Sequence, residues 1–264
     1  MATLPVRAVL LDIDGVLTVS WLPLPGAVEA VRWLREAGYR VGLLTNTTSR
    51  TRAWIAATLA GAGFGVGVSD VFTAPAITAA YLARHYPGAC CKLLTSGDVD
   101  ADLAGVRLAA DDDPRQPDVV ILGGAGPEFS YAALNRIFGY LRGGAVLVAM
   151  HRNMFWRTAE GLQLDSGAFL PGLEQAAGVT AEVTGKPAEA FFATALAALG
   201  VPPPAALMVG DDIHSDVLAA QRSGLTGVLV RTGKYLPETH RTAPAAPDHV
   251  IDSVADLPAL LAGP

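Results

Sequence analysis

Short apolar runs alternate with helix-like stretches along much of the chain. The runs at 6–11 and 41–44 have the length of buried strands, and between them Val28, Val31 and Leu34 recur at the spacing of one helix face. The same two patterns recur farther along the chain. They predict strands at 6–11, 41–44, 91–95, 119–122, 145–149, 206–209 and 228–230, and helices between Pro25 and Gly38 and near 49–59, 76–84, 131–141, 188–199 and 216–223.

Strands that alternate with helices favour parallel pairing, because each crossover helix returns the chain to the same end of the sheet. The sequence therefore predicts an α/β fold. In an open parallel sheet, ligands gather outside the carboxyl ends of the strands. The polar residues at the ends of the predicted strands are thus the first candidates for chemistry.

Asp12 and Asp14 directly follow an apolar run and are themselves followed by Gly15. In an extended chain, residues two positions apart face the same side, so the two carboxylates would lie together. Two bare carboxylates about 4 Å apart repel by roughly 4 kcal/mol at an effective dielectric of about 20, and a divalent cation would remove that repulsion. A solvated strand end with an Asp-Gly turn explains the same residues without a ligand.

Three further groups of polar residues lie at or just past predicted strand ends. These are Thr45 with Asn46, Lys186, and Asp211 with Asp216. Taken singly, each group fits a helix cap, a turn or a solvated loop. Together with Asp12 and Asp14, they supply what phosphoryl transfer needs: a carboxylate nucleophile, an acid/base, oxygen ligands for Mg²⁺, and donors that hold the phosphoryl oxygens.

The order of these motifs resembles that of haloacid dehalogenase superfamily phosphatases. The four motifs of that superfamily are matched by DIDGVL from Asp12, LLTN ending at Asn46, GKP around Lys186, and GDDIHSD from Gly210. The resemblance implies a catalytic core with a Rossmann-like, doubly wound parallel sheet. It also implies the site roles: Asp12 as nucleophile and Mg²⁺ ligand, Asp14 as acid/base and Mg²⁺ ligand, Thr45, Asn46 and Lys186 as phosphate-binding residues, Asp211 as a Mg²⁺ ligand, and Asp216 as the support behind the metal site.

The spacing of the motifs predicts an inserted domain. Thr45 follows Asp12 by 33 positions, whereas Lys186 follows Thr45 by 141 positions, which leaves room for a domain of its own. We expect a catalytic core of residues 1–73 and 184–264 and an α/β cap, which determines substrate specificity, of residues 74–183. A large cap in this position resembles subfamily IIA of the superfamily. Within it, residues 45–48, 128–131, 151–152 and 231–235 (Arg-Thr-Gly-Lys-Tyr) resemble one branch. That branch contains the phospholysine phosphohistidine inorganic pyrophosphate phosphatases and haloacid dehalogenase-like hydrolase domain-containing protein 2.

Polar residues also follow a predicted strand of the cap. His151, Arg152 and Asn153 come directly after the run 145–149 and are candidates for a loop that contacts the substrate, although exposed loops rich in such residues are common. Cap-to-cap dimers occur among the proteins that this chain resembles. A homodimer is therefore a further expectation.

Composition narrows the range of partners. The formal net charge is −6 and no basic stripe is present, so neither nucleic acid nor an anionic membrane is expected as a partner. The uncharged stretch 191–210 is interrupted by prolines at 202–204, which excludes a transmembrane helix there. The only cysteines, Cys90 and Cys91, are adjacent, so an ordinary long-range disulfide is impossible and a cytoplasmic location fits best.

The leading hypothesis is a Mg²⁺-dependent phosphatase that hydrolyses a small phosphorylated metabolite through an aspartyl-phosphate intermediate. The main alternative is a catalytically weak or silent binding or regulatory protein on the same fold, although every motif residue is present. A phosphonate hydrolase would be expected to carry a Schiff-base lysine in the cap, where Lys92 is the only lysine. A dinucleotide-dependent oxidoreductase is disfavoured, because Phe129 stands where the third glycine after Gly124 and Gly126 belongs.

Overall fold

The computed structural model describes residues 6–110, 113–158 and 161–263. Within them the chain forms two compact units. The first unit comprises the described residues of 1–45, 52–72 and 186–264, and the second comprises those of 46–51 and 73–185. Each unit contains its own parallel sheet.

Strands and helices alternate through both units. The strands are β1 (Ala8–Asp12), β2 (Thr18–Val19), β3 (Leu22–Pro23), β4 (Arg40–Thr45), β5 (Val71–Thr73), β6 (Cys90–Leu94), β7 (Arg107–Leu108), β8 (Val119–Leu122), β9 (Val146–Ala149), β10 (Phe155–Thr158), β11 (Gly161–Leu164), β12 (Glu182–Val183), β13 (Ala206–Gly210), β14 (Thr226–Val230) and β15 (His249–Ile251). The α-helices are α1 (Ala27–Glu36), α2 (Arg52–Gly61), α3 (Ala74–His85), α4 (Tyr131–Arg142), α5 (Leu170–Ala177), α6 (Glu189–Leu199), α7 (Leu218–Arg222), α8 (Pro237–Arg241) and α9 (Leu257–Ala262). Among the described helices, none has the length and apolarity that a membrane span requires.

The sheet of the first unit has the strand order β15-β14-β13-β1-β4-β5. The pairs from β15 to β4 along this order are parallel. Strands β1 and β13 are buried along their whole length, which explains why their sequences are continuous apolar runs rather than alternating ones. Because β1 lies between β13 and β4, its last residue, Asp12, lies at the carboxyl edge between these two neighbours.

Helix α1 shows how the apolar pattern becomes part of the core. Its buried residues are Ala27, Ala30, Val31 and Leu34. This spacing forms one helix face, and burial of each large aliphatic side chain contributes roughly 1.5–3 kcal/mol. Val28, which the sequence places on the same face, is only partly buried at the edge of that core. Pro25 precedes the helix instead of standing in its first turn.

The second unit contains a parallel sheet with the order β12-β9-β8-β6-β7 and an antiparallel hairpin of β10 and β11. Helices α4 and α5 pack against β8 and β9 around a core that includes Leu122, Ile137, Leu147 and Leu170. Parallel strands joined by helices thus occur in both units. The predicted α/β fold is confirmed.

Most predicted elements are present, with ends that differ by a few residues. The helix predicted at 216–223 differs more, because the chain first forms a wide π-helical turn over Ile213–Val217 and only then continues as α7. The Asp212 side chain accepts from the backbone N–H groups of His214 and Ser215, so the helical segment begins at this cap. The apolar pattern assigned no role to Asp212, so the predicted start of this helix, at residue 216, is too late.

The predicted domain edges, 73/74 and 183/184, stay predictions. The two units described above divide at 72/73 and at 185/186, and residues 46–51 group with the second unit. The sequence interpretation placed that short segment in the core. The role of the second unit as a specificity domain is a proposal.

Candidate active site

Three acidic residues of the first unit converge at the carboxyl edge of its sheet. β1 ends at Asp12, and β13 ends one residue before Asp211. These strands are parallel neighbours with Leu11 opposite Val209, so the residues that follow them meet at one edge. Asp12, Asp211 and Asp216 each place one carboxylate oxygen within 4.8 Å of the others. We call these three residues the carboxylate cluster.

Lys186 neutralises part of the charge of this cluster. Its Nζ donates to Oδ1 of Asp12 at 2.7 Å and lies 2.7 Å from Oδ1 of Asp216. Lys186 and the cluster are buried, so water screens these ion pairs weakly. When all three carboxylates are ionised, Lys186 balances the charge of one of them, and a divalent cation would stabilise the ionised cluster further.

Burial disfavours the charged forms of Asp211, Asp216 and Lys186. Burial, together with the charges of Asp12 and Asp216, raises the pKa of Asp211 to about 8. Burial also raises the pKa of Asp216 to about 6, against the opposing effect of Lys186. Burial alone would lower the pKa of Lys186, but Asp12 and Asp216 outweigh it, so the Lys186 pKa is raised. The lysine therefore keeps its proton, and the carboxylates gain most from an added cation.

The Asp211 carboxylate is held through one oxygen only. Its Oδ2 accepts from the backbone N–H of Lys234 at 2.7 Å. A Cβ on Gly15 would lie 2.0 Å from this oxygen and a Cβ on Gly233 2.1 Å from it, so two glycines allow the backbone to close around it. The other oxygen, Oδ1, is buried and has no hydrogen-bond partner among the described residues. A buried carboxylate oxygen without a donor is unfavourable, and a metal ion would supply its partner.

Contacts within the first unit hold both oxygens of the Asp216 side chain. Its Oδ1 faces Lys186, and its Oδ2 accepts from the backbone N–H of Asp212 at 3.3 Å. A Cβ on Gly210 would lie 2.2 Å from Cβ of Asp216, so the glycine at the end of β13 makes room for this side chain. Both oxygens are thus engaged within the protein. The predicted role of Asp216, as the support behind a metal site, stays a prediction.

Among the described acids, Asp14 lies outside the carboxylate cluster. Asp14 is exposed at the rim of the site. Partial burial and the charge of Asp12 raise the pKa of Asp14. A carboxyl group with a raised pKa at the rim of the site is suited to carrying a proton. The prediction that Asp14 also binds the metal stays a prediction.

The predicted phosphate-binding residues lie in two different units. Thr45 is the buried last residue of β4 and follows Leu44, which pairs with Asp12. Asn46 belongs to the second unit, where a Cβ on Gly185 would lie 2.8 Å from its Oδ1. Lys186 belongs to the carboxylate site described above. Phosphate binding by these three residues stays a prediction.

The candidate cap residues make internal contacts within the second unit. His151 is buried: its Nδ1 accepts from the backbone N–H of Asn153 at 3.3 Å, and its Nε2 lies 3.7 Å from Asp165. Arg152 donates to both carboxylate oxygens of Glu174. Asn153 is exposed. A role of these residues in substrate specificity stays a prediction, and their described contacts hold the loop together.

Some residues of the site carried no role in the sequence interpretation. They are Gly15, Thr232, Gly233 and Lys234. Lys234 adds a positive charge near the cluster: burial disfavours that charge, but Asp12, Asp211 and Asp216 together raise its pKa. The segment Arg-Thr-Gly-Lys-Tyr stands out in the sequence only through the family resemblance. Residues of this segment contact Asp211, and the spacing along the chain does not predict that contact.

The fold and the site define an α/β protein with a buried carboxylate cluster at the carboxyl edge of a parallel sheet. The family model described as haloacid dehalogenase-like hydrolase matches residues 9–109, and the HAD-hydrolase-like model matches residues 183–257. Phospholysine phosphohistidine inorganic pyrophosphate phosphatase from Xenopus laevis is 36% identical over 257 residues, which cover 95% of this chain and 92% of the relative. The chain belongs to the haloacid dehalogenase-like hydrolase family.

Solved structures give the same result. The 4-nitrophenylphosphatase from Thermotoga maritima has a TM-score of 0.90 and 26% identity, with 99% of this chain and 100% of that chain covered. Glycerol phosphate phosphatase from Mycobacterium tuberculosis, in complex with magnesium, has a TM-score of 0.86 and 28% identity, with 97% of this chain and 79% of that chain covered. The predicted family, fold and enzyme class, a phosphatase of this family, are confirmed at this level.

Proposed function

We propose that this protein is a Mg²⁺-dependent phosphatase that hydrolyses a small phosphorylated metabolite through an aspartyl-phosphate on Asp12. The observation that carries the proposal is the buried contact of Asp12 with Lys186 at 2.7 Å, beside two further buried carboxylates. A carboxylate held this way is fixed in position, as a nucleophile must be. The relatives named above are phosphatases, which supports this chemistry.

The donor set fits Mg²⁺. Asp12 and Asp211 would hold the ion, and the unpartnered Oδ1 of Asp211 is the oxygen best placed to bind it. Mg²⁺ would neutralise charge on the phosphoryl group, so that an anionic nucleophile can approach it. Asp216 would orient Lys186 from behind. A structural neighbour was solved in complex with magnesium.

In the first half-reaction, a carboxylate oxygen of Asp12 would attack phosphorus while the bond from phosphorus to the leaving oxygen breaks. Asp14 would give its proton to that oxygen, so the product leaves as an alcohol. In the second half-reaction, Asp14 would take a proton from water as this water attacks the phosphorus. The bond between phosphorus and Asp12 then breaks, which releases inorganic phosphate and restores both acids.

Thr45, Asn46 and Lys186 would bind the phosphoryl oxygens. Lys186 carries a positive charge at the site, and Thr45 lies at the end of the strand next to Asp12. Donors fixed in advance around the phosphoryl oxygens stabilise the charge that redistributes in the transition state. The second unit, as the cap, would select the substrate. Phosphoramidates and inorganic pyrophosphate belong in the substrate panel, because the relative from Xenopus laevis is named for them.

The test is hydrolysis of 4-nitrophenyl phosphate with Mg²⁺, with a chelator, and by the variant Asp12→Asn. We expect activity that needs Mg²⁺ and a variant without measurable turnover, because an amide is a poor nucleophile of nearly the same shape. Asp252→Asn, an exposed acid paired with Arg231, is the matched control and should retain activity. Unchanged turnover in Asp12→Asn would contradict the mechanism.

The competing function is a catalytically weak or silent protein that binds a ligand on this fold. It predicts saturable binding of phosphometabolites with no release of phosphate across the panel. Detection of a covalent phosphoryl group on Asp12 by mass spectrometry after acid quenching would exclude it. No specific feature of the site favours this alternative, since nucleophile, acid and metal-binding residues are all present.

A further inference from the structure

The sheet of the second unit has a topological switch point at its carboxyl edge. In the order β12-β9-β8-β6-β7, the chain leaves β6 towards β7 on one side and leaves β8 towards β9 on the other. β6 and β8 are parallel neighbours with Leu94 opposite Leu122, so the two connections diverge just after these residues. In doubly wound sheets, ligands bind in the crevice that such a divergence opens. A ligand of the second unit is therefore expected here.

A segment of the chain itself occupies this place. Residues 46–51 belong to the second unit. A Cβ on Gly97, shortly past β6, would lie 2.6 Å from Cα of Ser49. A Cβ on Gly124, shortly past β8, would lie 2.4 Å from Oγ1 of Thr48, which is buried. The segment thus takes the position in which doubly wound sheets bind their ligands.

The segment crosses the carboxyl edge in chain order. Asn46 lies beside Gly185, two residues past β12, where a Cβ would lie 2.8 Å from Oδ1 of Asn46. Thr48 and Ser49 then contact the glycines that follow β8 and β6. At each contact the absence of a side chain allows the close approach. We call the three residues that receive the segment, Gly97, Gly124 and Gly185, the glycine bed.

Gly97 limits the position of the segment most strictly, because its neighbour is backbone. Besides Cα of Ser49, the carbonyl oxygen of Ser49 would lie 3.0 Å from a Cβ on Gly97. Backbone atoms cannot rotate away as the end of a long side chain can. The two loops of the bed are also joined, since the N–H of Ser96 donates to the carbonyl of Gly124 at 2.7 Å. The bed therefore receives the segment as one connected surface.

We propose that the glycine bed positions Asn46 to bind the phosphoryl group, so that the second unit contributes to phosphate binding as well as to the choice of substrate. Asn46 directly follows Thr45, the buried last residue of β4, and the bed contacts Asn46 and the residues after it. The three glycines are positioning residues that act through residues 46–49. The inference rests on the proposed function, because it takes Asn46 as a phosphate-binding residue.

Inhibition by inorganic phosphate tests this role, because phosphate is the product and carries the group that Asn46 would bind. The experiment measures the inhibition constant of phosphate and the Mg²⁺ concentration for half-maximal activity, with the full chain acting on 4-nitrophenyl phosphate. We expect Gly97→Ala to weaken phosphate inhibition about tenfold, the effect of one hydrogen bond to a charged group. The Mg²⁺ requirement should stay unchanged, whereas general loss of folded protein would change neither constant.

Gly105→Ala is the matched control for backbone strain. Gly105 has a φ of 88° and Gly97 one of 89°, but a Cβ on Gly105 meets nothing within 4 Å. Gly105→Ala should therefore leave phosphate inhibition unchanged. Equal weakening in both variants, or no weakening in Gly97→Ala, would overturn the inference.

A compensating pair of variants tests the second contact. Gly124→Ala should also weaken phosphate inhibition, because the added methyl group meets the hydroxyl of Thr48. Adding Thr48→Ala removes that hydroxyl, so the double variant should recover most of the inhibition. This pair decides the question if Gly97→Ala does not fold. A Gly124→Ala protein with wild-type inhibition, or a double variant without recovery, would contradict the inference.

Asn46→Ala distinguishes the inference from the proposed function. If the bed acts through Asn46, Gly97→Ala should have little further effect on phosphate inhibition in the Asn46→Ala background. A fully additive loss would overturn the positioning role. If Asn46→Ala weakens phosphate inhibition and Gly97→Ala does not, only the positioning role fails. If Asn46→Ala leaves phosphate inhibition unchanged, the phosphate-binding role of Asn46 in the proposed function fails.

Discussion

A Cβ atom on Gly233 would lie 2.1 Å from Oδ2 of Asp211 and 2.5 Å from Cα of Gly15. The segment around Gly233 thus closes over two motifs that are far apart in sequence. The hydroxyl of Thr232 donates to the carbonyl of Gly15 at 2.5 Å, and the N–H of Lys234 donates to Asp211 at 2.7 Å. Glycine at this position is therefore a requirement of the site and not merely of a turn.

Gly233→Ala should abolish most of the Mg²⁺-dependent activity, because the added methyl group must push Asp211 away from its present position. We expect the Mg²⁺ concentration for half-maximal activity to rise and kcat to fall by at least about tenfold, since metal-site misplacement commonly costs that much. Titration of 4-nitrophenyl phosphate hydrolysis with Mg²⁺ measures both quantities.

Gly38→Ala is the control for backbone strain alone. Gly38 has a φ of 85°, but a Cβ there meets nothing within 4 Å. It should lower the free energy of unfolding by about 1 kcal/mol and leave the Mg²⁺ dependence unchanged. Equal effects of the two variants on Mg²⁺ dependence would show that the contact with Asp211 is irrelevant.

Lys186→Met should destabilise the protein and remove its activity. The substitution leaves the buried carboxylates of Asp12 and Asp216 without the cation that lies 2.7 Å from each. Loss of one partner of a buried ion pair costs about 3–5 kcal/mol, so we expect a loss near the lower end of that range in the presence of a chelator. Denaturant unfolding with and without Mg²⁺ measures it.

Added Mg²⁺ should restore part of this loss, because a ligand at 100 times its Kd stabilises the folded state by about 2.7 kcal/mol. Lys92→Met serves as the control: Lys92 is also buried and donates to the carbonyl of Ala110 at 3.1 Å, in the second unit. It should lower stability without any change in the response to Mg²⁺. A Lys186→Met protein that keeps wild-type turnover would rule out a role of this lysine in the reaction.

The sequence predicts the central strands and the acidic residues of the site for the same physical reason. Strand β1 is buried on both faces, so its apolar run is unbroken until the polar residues at its carboxyl end. Asp12, Lys186 and Asp211 could be proposed together because their residue types and order fit one reaction. The spacing of the motifs along the chain does not predict the distance from Lys186 to Asp216. Nor does it predict which oxygen of Asp211 has no hydrogen-bond partner among the described residues.

Other features leave little pattern in the sequence. β2 and β3 have two residues each, too few for any periodicity, and the turn between them contains no glycine or asparagine. The helical segment after β13 begins at Asp212 because that side chain caps two backbone N–H groups, whereas apolar periodicity places the start later. These features depend on local hydrogen bonds and tertiary contacts that override the pattern.

Both cysteines should be unreactive in the folded protein. Cys90 and Cys91 are buried on β6, and burial, with the neighbouring Cys90 and Asp118, raises the pKa of Cys91 to about 11. The thiolate is the reactive form, and little Cys91 thiolate exists near neutral pH, while burial shields both thiols from reagent. A chromogenic disulfide reagent should label both thiols only after denaturant is added. Rapid labelling of the native protein would mean that this strand opens readily.

Tyr86 should stabilise the second unit up to strongly alkaline pH. Its hydroxyl donates to Oε1 and Oε2 of Glu182, at 2.7 and 2.9 Å, and so ties the end of α3 to β12. Burial and then the Glu182 contact raise the pKa of Tyr86 to about 12. The folded chain thus holds this proton more tightly than the unfolded chain, in which the tyrosine pKa is about 10. The stabilisation is complete below pH 10 or so and is lost as the pH rises through about 12.

Tyr86→Phe should therefore lower the free energy of unfolding by about 1–2 kcal/mol at pH 8, because a hydrogen bond to a charged group contributes about 1.5–3 kcal/mol and this one is only partly buried. The difference from wild type should stay constant up to about pH 10 and shrink above it. Urea unfolding at a series of pH values measures this difference. Tyr131→Phe, at an exposed tyrosine on α4, is the control and should change stability at no pH in the series. A difference for Tyr86→Phe that instead grows above pH 10 would contradict the raised pKa of Tyr86, because it would mean that the folded chain binds the phenol proton less tightly than the unfolded chain.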